Sequence, residues 1–284
     1  MANQHGREVI IEPRTPSVLT SLKDTWASHH LIYFFGARMI RLRYSGALLG
    51  WLWLFIRPLV TALFFTMIFS KMAKLPSDGS PYLVFFLAGM MVWSFFSNSL
   101  LFMTRSLRSS RRLITKLHFP KMIVPLASIA PFGLEFLIYV VVFGAVLGYY
   151  FITDGVLYLL FRPELLWSFF YLLIVLLLLV GIGLWTSILN SQARDVRFTL
   201  PYVLQMWFFI TPVLYPLSLV PERWKWFTHL NPMAVAVEGF RWSVLGTGGV
   251  TSLDLSLATI QSIAVFLSGI WFFSKAESKL ADNF

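Results

Sequence analysis

The chain has 284 residues, 57% of them hydrophobic and only 13% charged, a balance that excludes an ordinary soluble domain. It has no cysteine, which removes disulfides, thiolate metal sites and cysteine nucleophiles together. The formal charge of +10 would suit a nucleic-acid partner in a soluble protein, but in so apolar a chain it reads as lysine and arginine in loops between membrane spans.

The N-terminal arm, residues 1–47, carries Arg7, Glu8, Glu12, Arg14, Lys23 and Asp24 without an early apolar core, so a cytoplasmic arm with no cleavable signal peptide is expected. Within it, residues 26–44 mix His29, His30, Arg38, Arg41 and Arg43 with Leu31, Ile32, Phe34, Phe35, Met39 and Ile40. That mixture predicts an amphipathic helix lying along the membrane surface. Residues 48–284 are expected to form one all-α membrane domain, since successive apolar stretches approach the ~20 residues needed to cross about 30 Å of hydrocarbon. The six expected spans lie at about 48–70, 82–103, 122–152, 165–189, 199–215 and 253–273, with Pro125 and Pro131 near the start of the third.

Three connecting segments stand out. Residues 104–121, TRSLRSSRRLITKLHFPK, hold six basic residues and no acid. Leu107, Leu113, Ile114 and Leu117 recur there at near-helical spacing beside Arg108, Arg111, Arg112 and Lys116, which predicts a short amphipathic cytoplasmic helix. After the fourth span comes NSQARDVRF, with Arg194 and Asp195. Residues 216–249 place Pro221, Glu222, Arg223, Lys225, Pro232, Glu238 and Arg241 among Trp224, Trp226, Phe227 and Trp242, the pattern of two short interfacial or re-entrant helices. With six spans, sixteen of the 23 basic residues fall on the side of both termini, the positive-inside pattern of cytoplasmic termini.

The chain has no Gly-Lys dipeptide, hence no phosphate-cradling P-loop, and neither HExxH nor GxSxG occurs. It is therefore not read as an enzyme, and no metal or cofactor is assigned to it. Arg57 and Glu135 are the ionisable residues inside the spans, too few to suggest an ion-coupled carrier. Arg57 could hold an anionic head group, snorkel, or pair with an acid; Glu135 suits a bundle-facing, hydrogen-bonded carboxyl. Aromatic residues make up 17% of the chain, and most serve as anchors and lipid-facing bulk. Trp51, Trp53 and Phe55 in the first span and Trp207, Phe208, Phe209 and Tyr215 in the fifth could instead line a conduit in which sugar rings stack on aromatic faces.

The ordered motifs RLRYSGALLGWLWLFIRPL, PYLVFFLAGMMVWSFF, LITKLHFPKMIVPL, NSQARDVRF and ITPVLYPLSLVPERWKWFTHLNPMAVAVEGFRW resemble those of the type 2 ABC permeases of polysaccharide export. That family comprises the O-antigen, capsule and teichoic-acid exporters, and the resemblance covers about residues 38–242. It implies a homodimer paired with two copies of a separate ATPase, which binds ATP and Mg. Residues 106–118 match the family's coupling helix, with Leu107, Arg108, Arg111, Arg112, Leu113, Ile114, Lys116 and Leu117 facing the ATPase. The helix before the first span matches its interface helix, Arg194 and Asp195 match a loop-ordering or inter-helix ion pair, and residues 218–245 match its extracytoplasmic gate helices. The implied substrate is a glycan on an undecaprenyl-type lipid diphosphate, with O-antigen the first expectation and teichoic acid, capsule or galactan the alternatives. An exporter of a drug or small lipid would keep the same architecture. A membrane-embedded glycosyltransferase is disfavoured by the lack of paired loop carboxylates.

Overall fold

The computed structural model describes residues 18–44, 52–117, 119–159 and 162–280, and all regular structure among them is helical. The expected surface helix is two helices, α1 (Val18–Ala27) and α2 (His29–Tyr44), broken at Ser28. The first span is α3 (Trp53–Thr66), continued by a π-helical turn over Met67–Met72.

The second span, α4 (Tyr82–Ser109), outruns the expected limit at residue 103. Its polar continuation is satisfied from within: Thr104 donates to the Leu100 carbonyl at 2.7 Å and meets the Thr186 hydroxyl at 2.7 Å, and Asn190 Nδ2 donates to the Thr104 carbonyl at 2.9 Å. The basic segment is therefore not one helix but the last turn of α4, Ser110, and α5 (Arg111–Lys116).

Proline divides the third span into α6 (Ile123–Ala127) and α7 (Ala130–Asp154), with Pro131 at the start of α7 where its missing N–H costs no helical bond. A 3₁₀ turn over Pro163–Leu166 leads into α8 (Trp167–Gln192). Then comes α9 (Val196–Ile210), and the final span is α12 (Ser252–Leu280). Among the described residues, five segments are long and apolar enough to cross a membrane: Trp53–Met72, Tyr82–Ser109, Ile123–Asp154, Pro163–Gln192 and Ser252–Glu277. The expected span over 199–215 is shorter, because the helix stops at Ile210 and Thr211 is extended (ψ 132°) ahead of Pro212.

Between α9 and α12 lie 3₁₀ turns at Leu217–Leu219 and Glu222–Trp224, then α10 (Trp226–Leu230) and α11 (Pro232–Leu245). The turns and α10 stay at the surface. Helix α11, in the stretch expected to hold interfacial or re-entrant helices, is central, with 13 of its 14 residues buried against α4, α8 and α12. Its small side chains permit this, and Asn231 caps it by accepting from the Ala234 amide at 3.3 Å.

Without a hydrophobic drive between helices inside a bilayer, close packing has to come from small residues. Helices α8 and α12 meet backbone to backbone at Gly181 and Gly269: a Cβ on Gly181 would lie 2.5 Å from the Val265 carbonyl oxygen. Nearby, Trp185 stacks on Phe272 with ring centroids 3.8 Å apart and donates to Ser268 Oγ at 3.2 Å.

Candidate functional site

The basic segment presents a charged face and buries its apolar one. Leu107 and Ile114 lie in a core cluster with Met103, Met122 and Val124 of this same chain, and Leu113 is half-buried against the cluster containing Phe35 and Ile123. Arg111, Arg112, Lys116 and Leu117 are exposed, while Arg108 is half-buried. Of the residues expected to face an ATPase, Leu107 near the end of α4 and Ile114 on α5 are thus buried within this chain's own bundle.

The aromatic residues divide similarly. Trp51 lies outside the described residues. Trp53 and Phe55 on α3 and Phe209 on α9 are exposed. Trp207 and Phe208 turn inward against α4: Trp207 meets Phe96 edge-on at 5.2 Å, and Phe208 lies 5.5 Å from Trp93. The Trp207 indole donates to Asn231 Oδ1 at 2.9 Å, and Asn231 Nδ2 donates to Thr211 Oγ1 at 3.2 Å. Trp207 and Phe208 are thus half-buried, and the Trp207 indole N–H, which needs an acceptor among helices, finds one inward. Tyr215 donates from its hydroxyl to the Phe209 carbonyl at 3.0 Å, and both residues border a cleft of about 380 Å³ with Trp224 and Phe227.

Of the candidate charges, Glu135 is buried on α7 and pairs with Arg43 of α2 at 3.7 Å, while the Arg43 guanidinium lies 4.5 Å from the Phe132 ring centroid. Arg57 is exposed, and among the described residues no carboxylate lies within ion-pair distance of it. Arg194 and Asp195 are both exposed, and no ion pair joins them. The expected pairing is replaced by a backbone role: the Asp195 carbonyl accepts from the Phe198 and Thr199 amides at 3.0 and 2.9 Å and so starts α9.

The most heavily constrained charges were not singled out as a site from the sequence. Arg241, fully buried on α11, donates from Nη1 to Glu238 Oε2 at 2.8 Å. Its Nη2 donates to the Pro212 and Val213 carbonyls at 3.1 and 3.3 Å. The guanidinium also lies 3.7 Å from the Phe85 ring centroid. One side chain thus ties α11 to α4 and to the turn after α9. Glycine makes room for it: a Cβ on Gly89 would stand 2.5 Å from Nη2, and one on Gly248 (φ +79°) 2.2 Å from Glu238 Oε1. Burial raises the Glu238 carboxyl above the usual carboxylate range, and Arg241 opposes that shift. The available signal was the Glu-x-x-Arg spacing inside an otherwise apolar helix, which puts both charges on one face. A second link ties α10 to α12, through the His229–Asp254 contact and Gln261 Nε2 donating to the His229 carbonyl at 2.7 Å.

A family profile described as ABC-2 type transporter matches residues 30–245, from α2 to the end of α11. The chain belongs to the ABC-2 type transporter family. It is 26% identical over 247 residues to the O-antigen export system permease protein RfbA of Klebsiella pneumoniae, covering 86% of this chain and 90% of that one. A protein of the same description from Myxococcus xanthus is 26% identical over 209 residues, 72% of this chain and 76% of its own. The polysialic acid transport protein KpsM of Escherichia coli is 25% identical over 241 residues, 81% of this chain and 88% of its own. The ABC-2 match takes in α5, both exposed aromatic faces and the Arg241–Glu238 pair, and it stops before α12.

Proposed function

We propose that the chain is the membrane-spanning subunit of an ATP-driven polysaccharide exporter, moving a lipid-linked glycan such as O-antigen across the bacterial inner membrane. The supporting observation is similarity over most of its length to an export permease and a transport protein named for two different glycans. Two copies would flank the path and each would seat one copy of a separate ATPase, which supplies the nucleotide and Mg chemistry.

In this reading the membrane is crossed six times and both termini are cytoplasmic. Helix α9, with 15 residues, is about 22 Å long. Residues 211–214 follow as a buried turn and carry the chain on toward the far side of a hydrocarbon core about 30 Å thick. The exposed face of α5, with Arg111, Arg112, Lys116 and Leu117, docks on the ATPase. The aromatic faces of α3 and α9, with Trp53, Phe55 and Phe209, border the glycan path, where flat rings give many weak and replaceable contacts. The turns before α10, together with α10 itself, form the outer gate, hung from the Arg241 anchor.

Disruption of the gene tests the proposal, with surface glycan and its lipid-linked precursor measured together. Loss of surface glycan with precursor retained at the inner face is expected. Normal surface glycan, or loss of the precursor itself, overturns it.

A further inference from the structure

A cleft of about 360 Å³ opens between α2, the end of α4, and α5, and its polar lining is Arg38, Arg43, Ser109 and Ser110. Beneath these, Met39, Phe102, Leu113 and Val124 form an apolar wall. The charges do not cancel. Glu135 answers Arg43, whereas Arg38 is exposed with no carboxylate within ion-pair distance among the described residues. Beside the cleft, Arg108, two residues before Ser110, has a buried Nη1 with no hydrogen-bond acceptor among the described residues. Two arginines with only one acid between them, set over an apolar wall, complement an anion that carries a hydrocarbon tail.

We infer that this cleft binds the phosphate head group of an anionic phospholipid. Arg38 and the Ser110 hydroxyl donate to the phosphate oxygens, Arg43 adds positive potential while keeping Glu135, and the first part of an acyl chain lies along Met39 and Phe102. Position supports the choice of a lipid over a free ion: α2 exposes Tyr33, Phe34 and Leu42, as a helix lying in the interface does. Basic pockets between helices on the cytoplasmic side suit such head groups. This placement takes from the proposed function only its orientation, with the α5 end cytoplasmic. Because α2 forms one wall and α5 the other, the bound lipid would brace the ATPase-docking segment against the interface helix.

The test uses the full-length chain purified in mild detergent, with retained lipid counted by native mass spectrometry. Phosphatidylglycerol, phosphatidylcholine and inorganic phosphate are the probes, and Arg38→Gln, Ser110→Ala and, at the opposite end, Arg223→Gln are the variants. Phosphatidylglycerol should be retained over phosphatidylcholine, and Arg38→Gln should weaken it about fivefold, the loss of one basic contact. Ser110→Ala should weaken it less, and Arg223→Gln not at all. Equal retention of the two lipids, or an unchanged Arg38→Gln, overturns the site. Inorganic phosphate displacing the lipid at equal concentration would make it a free-anion site and also overturn it. The measurement needs neither ATP nor glycan, so failure of the export reading leaves its outcome legible.

Discussion

Helices α3 and α4 follow one another in the chain, and the mean hydropathies of their apolar stretches are nearly equal, 1.7 and 1.6. Yet 72% of that stretch is buried in α4 and 17% in α3. Hydropathy reports that both enter the membrane but not what each one touches there. Small and hydroxyl residues make the difference: α4 carries Gly89, Ser94, Ser99, Thr104 and Ser106, all but Gly89 with side chains buried inside the bundle, and Gly89 admits the Arg241 guanidinium. Helix α3 carries Trp53, Phe55, Val60, Leu63 and Phe64 on exposed surface instead. Lipid solvates bulky apolar side chains as well as a neighbouring helix does, so close approach and polar pairing decide which helix is interior.

The largest expected effect falls on the interior. Arg241→Ala leaves Glu238 buried without its partner and should cost about 3–5 kcal/mol, read as a fall in thermal stability in detergent or loss of folded protein. Replacing both residues by leucine should do less harm, and a stable single variant would show that the pair is not the anchor. Next is the α8–α12 contact, where Gly181→Ala should cost about 1–3 kcal/mol by pushing two backbones apart. Gly144→Ala, with nothing within 4 Å of its added Cβ, should change stability little.

On the exposed side the expected stability effects shrink to about 0.5 kcal/mol or less, and function becomes the readout. Replacing Arg111, Arg112 and Lys116 together by glutamine should weaken copurification of the ATPase while leaving the melting temperature nearly unchanged. Ile114→Asp should instead destabilise this chain. The opposite result would return Ile114 to a docking role. The smallest effect should come from alanine at Phe209 alone, a modest slowing of export. Alanine at Trp53, Phe55 and Phe209 together should slow it strongly, measured as surface glycan against ATPase rate. If all three together left export unchanged, the exposed faces would be lipid anchors.

Periodicity and composition sufficed for the helical class and for the approximate positions of α3, α4, α8 and α12, because apolar run length is a local property. The basic character of residues 104–121 was equally legible. Which of its apolar residues face inward was not, since Leu107 follows the phase of α4 and that phase is set by Thr104, Thr186 and Asn190 bonding across 82 and 86 positions of sequence. Trp207 and Phe209, two residues apart on α9, point to opposite sides of the helix, and which side faces the bundle was not legible until Phe96, Trp93 and the Asn231 acceptor were placed. Glu135 could be read as a carboxyl needing a partner, but its partner, Arg43, is fixed only by the packing of α2 on α7. The sequence by itself determined that this chain lives in a membrane and where its apolar helices lie. Tertiary structure alone decided that α11, with two charges in fourteen residues, is the core, because a buried Arg–Glu pair is tolerable only where three separate segments converge to satisfy it.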